Sequence, residues 1–326
     1  MLSWMIISGL VNGEKESYCK YGKIKEVRMI QRYLGIDIGA SSIKYGIGDS
    51  KQGLQYFASI RLQSKDRATF SRIFEDIFAE AADWDLAGIG IGSPGTISQP
   101  EAIIRGVNPN IPFLSGMSPK ELVPAELDLP IFVDNDANLM TLAEAEYYKA
   151  ESCMGVTVGS GIGSGMVLDG QIYHGSHGYA AELGHCNMVP GGESCSCGQH
   201  GCLEAYSSVD GIYRRLRAQG SLYANRLLPE LIERRSDVNE LDKIISEGEE
   251  VLIRALANLV IVMDPELIVL GGGGMELGLY NINRIREAVG HLLPQAHRET
   301  FRCELAGYGN RSGVMGGIIL CERNLI

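Results

Sequence analysis

The chain lacks an excess of positive charge, a hydrophobic run of membrane-spanning length and the Gly-Lys-Ser/Thr ending of a Walker phosphate loop. Lysine and arginine number 29 against 40 aspartates and glutamates, and the resulting net charge of −11 argues against nonspecific binding to nucleic acid. The longest apolar run near the start, Met1–Val11, is too short to span a bilayer and has no signal-peptide pattern around it. We therefore expect a cytoplasmic protein with neither a nucleic-acid partner nor a membrane segment.

The rest of the composition is that of an ordinary soluble protein. The length of 326 residues is about twice a common domain size, which favours two domains. Cysteines stay reduced in the cytoplasm, so the eight cysteines need an explanation other than disulfides. The 41 glycines are well above average, and their clustering carries most of the information.

Residues 1–30 read as a separate N-terminal extension. Their middle, Gly13–Ser17, is polar, and hydrophobic periodicity resumes only near Met29 or Tyr33. A translation start at Met29 would explain the upstream residues, and a genuine N-terminal arm is the alternative. We expect that this segment is not part of the fold.

Downstream, short apolar strands alternate with stretches of helical periodicity, which predicts an α/β fold with a mixed sheet. The predicted strands are Tyr33–Ile38, Ile43–Ile47, Tyr56–Leu62, Ala87–Ile91, Ile131–Val133 and Leu267–Leu270. The predicted helices are Thr69–Ala82, Ala137–Lys149, a buried helix over Val251–Met263 and a helix from about Tyr280.

An internal repeat divides the chain. Gly35–Asp49 aligns with Gly155–Asp169 without a gap, and each segment is an apolar strand, a small-residue turn and a second strand that ends in Asp. This self-similarity predicts two domains of related fold, each opening with a β-hairpin; chance similarity between glycine-rich hairpins is the alternative. The predicted domains are 31–135 and 136–326, with the linker near Val133–Asp136.

Three glycine-rich turns would let backbone N–H groups approach an anion closely, because glycine places no Cβ in the way. They are Gly39–Ser42, Gly159–Gly165 and Gly271–Gly274. The first two occupy equivalent places in the repeat and favour a phosphate chain held between the domains. The third follows a strand and favours a nucleotide contact over a merely flexible turn. Asp37, just before the first turn, could hold Mg²⁺ through water, since hard cations take oxygen ligands.

One imidazole and three thiols, the complete ligand set of a tetrahedral zinc site, lie close together in the chain: His185, Cys195, Cys197 and Cys202. The loop 185–202 has too little apolar content to fold alone, so zinc binding would supply the missing free energy. With no open coordination position the zinc would be structural. His200 is the alternative fourth ligand, and reduced buried cysteines are the alternative to any metal.

The tripeptide Asp134–Asp136 lies between a predicted strand and a predicted helix. One such residue suffices to cap a helix, whereas three leave a carboxylate that could take a proton from a hydroxyl, as the base in phosphoryl transfer does. The residues alone leave both interpretations open. Glu182 and Glu204 flank the metal loop, either as solvated charges or as groups that zinc holds in place to hydrogen-bond a polyol.

Together these motifs resemble the ROK family (repressors, open reading frames and sugar kinases) from about Tyr33 to the C-terminus. The similar segments are Gly35–Gly39, Gly90–Gly95, Val133–Asn138, Glu182–Glu204 and Asp264–Gly273. The resemblance implies the actin-like ATPase (ribonuclease H-like) fold, with two duplicated domains and a central cleft. It also implies an ATP- and Mg²⁺-dependent kinase that phosphorylates the terminal hydroxyl of a hexose such as glucose or N-acetylmannosamine, and a homodimer.

The resemblance also implies residue roles. Asp136 becomes the catalytic base, and His185 both binds zinc and reaches the sugar. The implied sugar-binding residues are Gly95, Asn110, Asn135, Asp136, Glu182, His185 and Glu204, with Asn108 competing with Asn110 for its place. The implied ATP-side residues are Asp37, Gly39, Ser41, Gly159, Ser160, Gly161, Gly271, Gly272 and Gly273.

The chain departs from the family pattern in its first turn. Ala40 stands where glycine is usual and adds a Cβ where backbone should approach phosphate, while Ser41 keeps the usual hydroxyl. Two other functions therefore stay open. A sugar-responsive repressor of the same family would need a DNA-binding domain before Gly35, where we find no helix–turn–helix pattern. A sugar-binding protein without catalysis would fit Ala40, but the intact Asp136 argues against it.

Overall fold

The computed structural model describes residues 7–11, 14–19, 22–23, 31–106, 108 and 111–325, with side chains from residue 31 onward. The chain forms two compact units, Met1–Gln31 and Arg32–Ile326. The first unit contains an antiparallel sheet of three strands in the order β1-β2-β3. These strands are β1 (Ile7–Val11), β2 (Glu14–Cys19) and β3 (Gly22–Lys23).

The large unit begins with a five-stranded mixed sheet, the first sheet. Its strands are β4 (Arg32–Ile38), β5 (Ser42–Asp49), β6 (Gly53–Arg61), β7 (Leu86–Ser93) and β10 (Ile131–Asn135), in the spatial order β10-β7-β4-β5-β6. Helix α1 (Arg67–Ala81) connects β6 to β7. A two-stranded ribbon of β8 (Thr96–Ser98) and β9 (Ile103–Arg105) follows β7.

The second sheet also has five strands, in the order β13-β12-β11-β14-β15. They are β11 (Cys153–Val158), β12 (Ile162–Leu168), β13 (Gln171–Ile172), β14 (Leu267–Gly271) and β15 (Cys303–Leu305). The helices of this part of the chain are α2 (Asp136–Tyr148), α3 (Leu203–Ser207), α4 (Val209–Ala218), α5 (Leu228–Arg234), α6 (Asn239–Met263), α7 (Gly273–Glu276), α8 (Ile282–Leu292), α9 (Gln295–Thr300) and α10 (Ser312–Leu325).

Every predicted strand and helix is present, with small shifts at the ends. The largest strand shift is in β6, which starts at Gly53 where the prediction starts at Tyr56. The helix predicted from about Tyr280 is α8, and the short α7 before it was not predicted. The predicted buried helix is the second half of α6, and within the described residues no helix is both long and apolar enough to cross a membrane.

The repeat corresponds to two antiparallel hairpins, β4–β5 and β11–β12, as predicted. The ungapped alignment is wrong after the turn, because the second turn is one residue shorter. In the first hairpin Asp37 lies opposite Lys44, whereas in the second Thr157, the equivalent of Asp37, lies opposite Gly163. The same backbone design therefore presents different side chains beside its turn.

Two helices connect the halves of the large unit by packing on the sheet of the other half. Helix α2 follows the first sheet but packs on β11 and β12, and α10 follows the second sheet but packs on β4 and β7. Glycines permit this closeness. A Cβ at Gly90 would collide with the backbone of Gly317, and one at Gly165 would lie 2.7 Å from the carbonyl oxygen of Ala137.

The predicted linker residues, Val133–Asp136, are the end of β10 and the first residue of α2. The boundary after residue 135 stays a prediction. The structure adds that α10, at the far end of the chain, lies against the first sheet.

Candidate active site

Asp136 is the first residue of α2, directly after the parallel strand β10. The helix is capped by Asn135, whose Oδ1 accepts hydrogen bonds from the backbone N–H of Ala137 (2.9 Å) and of Asn138 (3.2 Å). The Asp136 side chain is partly exposed, and desolvation together with the charge of Asp37 raises its pKa to about 7. A carboxyl group with this pKa can take up or release a proton near neutral pH.

The environment of Asp134 differs from that of Asp136. Its carboxylate is buried and accepts hydrogen bonds from the Asn135 N–H (2.7 Å) and Asn138 Nδ2 (2.8 Å). The other oxygen lies 2.6 Å from Nε2 of His174, and this bond raises the pKa of His174. The cap of α2 is thus Asn135, while Asp134 links β10 to the segment that follows β13.

Asp37 lies at the end of β4 and faces Asp136. A Cβ at Gly92 would lie 3.6 Å from Asp136 Cα and 3.7 Å from Asp37 Oδ1, so the two acidic residues flank this glycine. The Lys44 ammonium donates to Asp37 Oδ2 over 3.3 Å. Burial raises the pKa of Asp37, and the Lys44 charge opposes that shift.

The loop after β7 reaches the same place through Gly95. Its carbonyl oxygen accepts a hydrogen bond from Asn135 Nδ2 over 3.1 Å, and its φ of +103° is one that other residues rarely adopt. Asn108 is buried and holds this loop, since its Nδ2 donates to the carbonyl of Pro94 (2.8 Å) and its Oδ1 accepts from the N–H of Ile111 (3.0 Å). Asn110 lies outside the described residues.

The first turn closes with a bond from the Gly39 N–H to the carbonyl of Ser42 (2.9 Å), and the carbonyl of Ser41 binds the N–H of Leu62. In the second turn the carbonyl oxygens of Gly159 and Ser160 accept from the backbone N–H groups at the start of α4. The carbonyl oxygens of Ser41, Gly159 and Ser160 are therefore hydrogen-bonded within the protein.

The third glycine cluster lies beside the second turn. Thr157 on β11 pairs with Gly271 on the parallel strand β14, so the two strands end at the same edge of the second sheet. A Cβ at Gly272 would lie 2.7 Å from the carbonyl oxygen of Val158, which explains the need for glycine there. Gly159, Ser160 and Gly161 therefore lie near Gly271, Gly272 and Gly273, as a shared nucleotide site requires.

The four predicted zinc ligands come together. The ligand atoms of His185, Cys195, Cys197 and Cys202 all lie within 4.8 Å of one another. The Sγ atoms of Cys197 and Cys202 are 3.7 Å apart, and Cys195 Sγ is 3.7 Å from His185 Nδ1. Tetrahedral zinc with Zn–S bonds of about 2.3 Å needs sulfur atoms about 3.8 Å apart, so the set fits this ion. His200 lies apart from the set, with its Nδ1 on the carbonyl of Gly192.

Glu204 connects the metal loop to the second turn. Its Oε1 accepts from the hydroxyl of Ser196 (2.8 Å) and its Oε2 from the N–H of Ile162 (3.1 Å), while a Cβ at Gly161 would lie only 2.5 Å from Oε2. Glu182 is close to His185, whose backbone N–H donates to the carbonyl of Glu182 over 3.1 Å. Burial raises the pKa of Glu182; the charge of His185 opposes this rise and that of Glu204 adds to it.

Two residues of this region were missed in the sequence. Lys44 would have been found from the hairpin register, since only Ile43 separates it from the turn and the strand pairing places it opposite Asp37. His174 had no such signal, because its partner Asp134 is remote in the chain.

The ROK family model matches residues 33–324. A glucokinase of Thermotoga maritima is 26% identical over 312 residues, which are 90% of this chain and 98% of that protein. An N-acetyl-D-glucosamine kinase of Salmonella paratyphi B is 30% identical over 307 residues, covering 88% of this chain and 98% of that protein.

Solved structures share the fold. A ROK family glucokinase from Streptomyces griseus, solved in complex with glucose and AMPPNP, superposes with a TM-score of 0.76 at 24% identity, over 90% of this chain and 99% of that one. The predicted actin-like ATPase fold is thereby confirmed.

Proposed function

The chain belongs to the ROK family, and we propose that it is a sugar kinase that transfers the γ-phosphate of ATP to the terminal hydroxyl of a hexose. The observation that carries the proposal is the environment of Asp136. This partly exposed carboxyl group has a pKa of about 7, lies next to Asp37 and Lys44, and is held at the end of the first sheet by the Asn135 cap. Phosphoryl transfer to an alcohol requires a base whose pKa lies near the working pH, beside groups that can bind phosphate.

We propose that the sugar lies between the loop at Gly95, the Asn135–Asp136 pair and the metal loop. The carbonyl of Gly95 takes one hydrogen of the Asn135 amide, and an amide group has a second to offer to a sugar hydroxyl. Glu182, His185 and Glu204 would bind further hydroxyls, as would Asn110. We prefer Asn110 over Asn108 because Asn108 already uses both ends of its amide to hold the loop.

On the nucleotide side, the first turn (Gly39, Ser41) and the paired second and third turns would surround the phosphates and adenosine.

Glucose or an N-acetylhexosamine is the substrate class we favour, because the relatives named above act on sugars of these two kinds.

Two metals belong to the proposal. The four-ligand set around Cys195 would hold a structural zinc ion that fixes loop 185–202 and, through Glu204, the second turn. The carboxylate of Asp37 fits Mg²⁺, which when bound would neutralise phosphate charge. A cytoplasmic homodimer is the expected form of the protein.

The test is ADP release by the purified chain with ATP and a panel of glucose, N-acetylglucosamine, N-acetylmannosamine, mannose and fructose. Turnover with at least one sugar, and its loss in Asp136→Asn, is the expected result. Sugar binding without turnover at any ATP concentration would instead favour the non-catalytic binding protein, and sugar-dependent binding to DNA would favour the repressor.

A further inference from the structure

His174 holds the buried carboxylate of Asp134 from a distant part of the chain, and the proposed function gives it no role. Its Nε2 lies 2.6 Å from Asp134 Oδ2. The Asp134 side chain is only 3% exposed, and that of His174 is 35% exposed. Because an ionised carboxylate can only accept hydrogen bonds, Nε2 of His174 carries a proton and donates it. Hydrogen bonds to a charged group are among the stronger side-chain contacts in proteins.

Asp134 connects His174 to the residues proposed to bind the sugar and to act as the base. Its Oδ1 accepts from the backbone N–H of Asn135 (2.7 Å) and from Nδ2 of Asn138 (2.8 Å). Asn135 caps α2, and Asp136 is the first residue of that helix. The carboxylate of Asp134 therefore holds residues on both sides of Asp136 in the chain.

The backbone of His174 belongs to the loop that leads to Glu182. The carbonyl of His174 accepts a hydrogen bond from the N–H of Ala180 over 3.1 Å, so residues 174–180 form a closed turn. A Cβ at Gly175 would lie 3.1 Å from the Cβ of Ala180, which places the two ends of this turn in contact. Glu182 follows two residues after Ala180. His174 thus restrains this loop through its backbone and Asp134 through its side chain.

The two elements that His174 joins carry proposed sugar contacts from different halves of the large unit. Strand β10, which ends at Asn135, is an edge strand of the first sheet, whereas the loop to Glu182 follows β13, an edge strand of the second sheet. A sugar held by both elements reacts only if their separation places its hydroxyl correctly. A misplacement of about 1 Å can cost about a hundredfold in rate.

We propose that His174 is a positioning residue for the transfer, which acts through Asp134 to set the distance between the Asn135–Asp136 pair and Glu182; this rests on the proposed function. His174 itself touches neither sugar nor phosphate and exchanges no proton in the reaction. Its loss leaves the buried carboxylate of Asp134 with two donors instead of three and releases the loop from β10.

The competing explanation is that the bond between His174 and Asp134 only stabilises the fold. Removal of a purely structural contact lowers the free energy of unfolding and leaves the kinetic constants of the folded protein unchanged. Removal of a positioning contact changes the sugar KM and kcat of protein that is fully folded. The KM for ATP stays constant, because the nucleotide turns belong to other parts of the chain.

The experiment compares His174→Ala and His174→Gln with His177→Ala, an exposed histidine three residues further along the same loop. We expect His174→Ala to lower kcat/KM for the sugar on the order of tenfold, through both constants, at an unchanged KM for ATP. His174→Gln keeps an N–H donor at a similar reach and should recover most of this loss. The His177→Ala variant should match the unaltered chain.

A double-mutant cycle with Asp134→Asn tests whether the effect passes through Asp134. His174→Ala should cost less than about twofold when Asp134→Asn is already present, because two residues that act through one contact are not additive. Full, independent losses from the two substitutions would overturn the proposal, since His174 would then act without Asp134. Unchanged kinetic constants in a folded His174→Ala variant would also overturn it, since the bond would then be structural.

Hydrogen exchange provides a readout apart from turnover. The backbone amides of Asn135, Ala137 and Asn138 should exchange several times faster in His174→Ala and at the original rate in His177→Ala, because only the first variant weakens the hold on Asp134. If the unaltered chain phosphorylates no sugar, the proposed function fails, and these exchange rates still decide whether His174 holds the start of α2. Unchanged exchange in His174→Ala would overturn that inference.

Discussion

The two hairpins that open the halves of the large unit have the same backbone design and different chemistry. The first presents charges beside its turn, since Asp37 pairs with Lys44 across the strands. The second presents no charge at the equivalent position, because Thr157 faces Gly163 and its hydroxyl donates to the carbonyl of that glycine. One half of the fold therefore offers groups that act on charge and protons, and the other offers backbone that permits close approach.

Two helices explain how the two hairpins come to lie at one candidate site. Helix α2 leaves the charged half with Asp136 at its first residue and packs against the glycine face of the second hairpin, where Gly163 and Gly165 give it room. Helix α10 makes the reciprocal contact, and its Gly313 lies so close to Asp37 that a Cβ there would be 2.6 Å from the carboxyl carbon. Each half thus positions a part of the other.

The largest expected effect comes from the half of the large unit that opens with the first hairpin, the charged half. Asp136→Asn keeps the shape of the side chain but cannot take the proton, so kcat should fall by about 10²–10⁴ while sugar still binds. Asp134→Asn is the matched control two residues away; it keeps an acceptor and loses the pair with His174, so its effect should be on the order of tenfold. Steady-state kinetics and sugar calorimetry measure both. Equal, small effects would mean that the carboxylate of Asp136 is not the base.

The second effect tests whether the half that opens with the second hairpin depends on the loop 185–202, which contains the Cys/His cluster. Zinc removal should release Glu204 from its place between Ser196 and Ile162, so chelation under mild denaturation should abolish sugar binding before global unfolding. Metal analysis should find about one zinc per chain. Cys195→Ser should lose the metal, whereas Cys186→Ser, an exposed cysteine beside His185 but outside the ligand set, should keep it. Zinc-free protein that binds sugar normally would contradict this dependence.

The third effect is a pH dependence that belongs to the charged half alone. The pKa of Asp136 is raised to about 7, so the carboxyl group is protonated and unable to accept a proton at lower pH. We expect kcat/KM to fall about tenfold per pH unit below that pKa and to level off above it. A profile that is flat between pH 5 and pH 8, with stability checked at both ends, would separate the rate from this carboxyl group.

The smallest effect should come from making the first turn more like the second. Ala40→Gly removes the Cβ that limits backbone approach to phosphate, so the affinity for ATP should rise a few-fold, on the order of 1 kcal/mol, with the sugar KM unchanged. Nucleotide titration measures the change. An affinity that stays the same or falls would show that Ala40 does not restrict phosphate in this chain.

Local patterns in the sequence were enough to predict much of the fold and the Cys/His cluster. Apolar alternation located the strands of both hairpins, and short-range spacing located Cys195, Cys197 and Cys202, because these ligands lie within a few residues of one another. The pattern failed where a contact depends on remote residues. The tripeptide Asp134–Asp136 indicated a helix cap because a cap is a local feature, while the bond of Asp134 to His174 exists only after β10 and the segment that follows β13 are brought together.

The glycines also show that local patterns do not predict contacts between remote residues. Their clustering predicts anion-binding turns, and this stays a prediction, whereas Gly35, Gly90, Gly165 and Gly316 let helices pack directly on strands or on one another. Sequence by itself predicted many of the elements, the duplicated hairpin and the Cys/His cluster, since each depends on neighbours along the chain. Only the tertiary structure decided that Asp37, Lys44 and Asp136 converge and that Asn135 caps α2, because these depend on strand register and on helices that cross between the two halves.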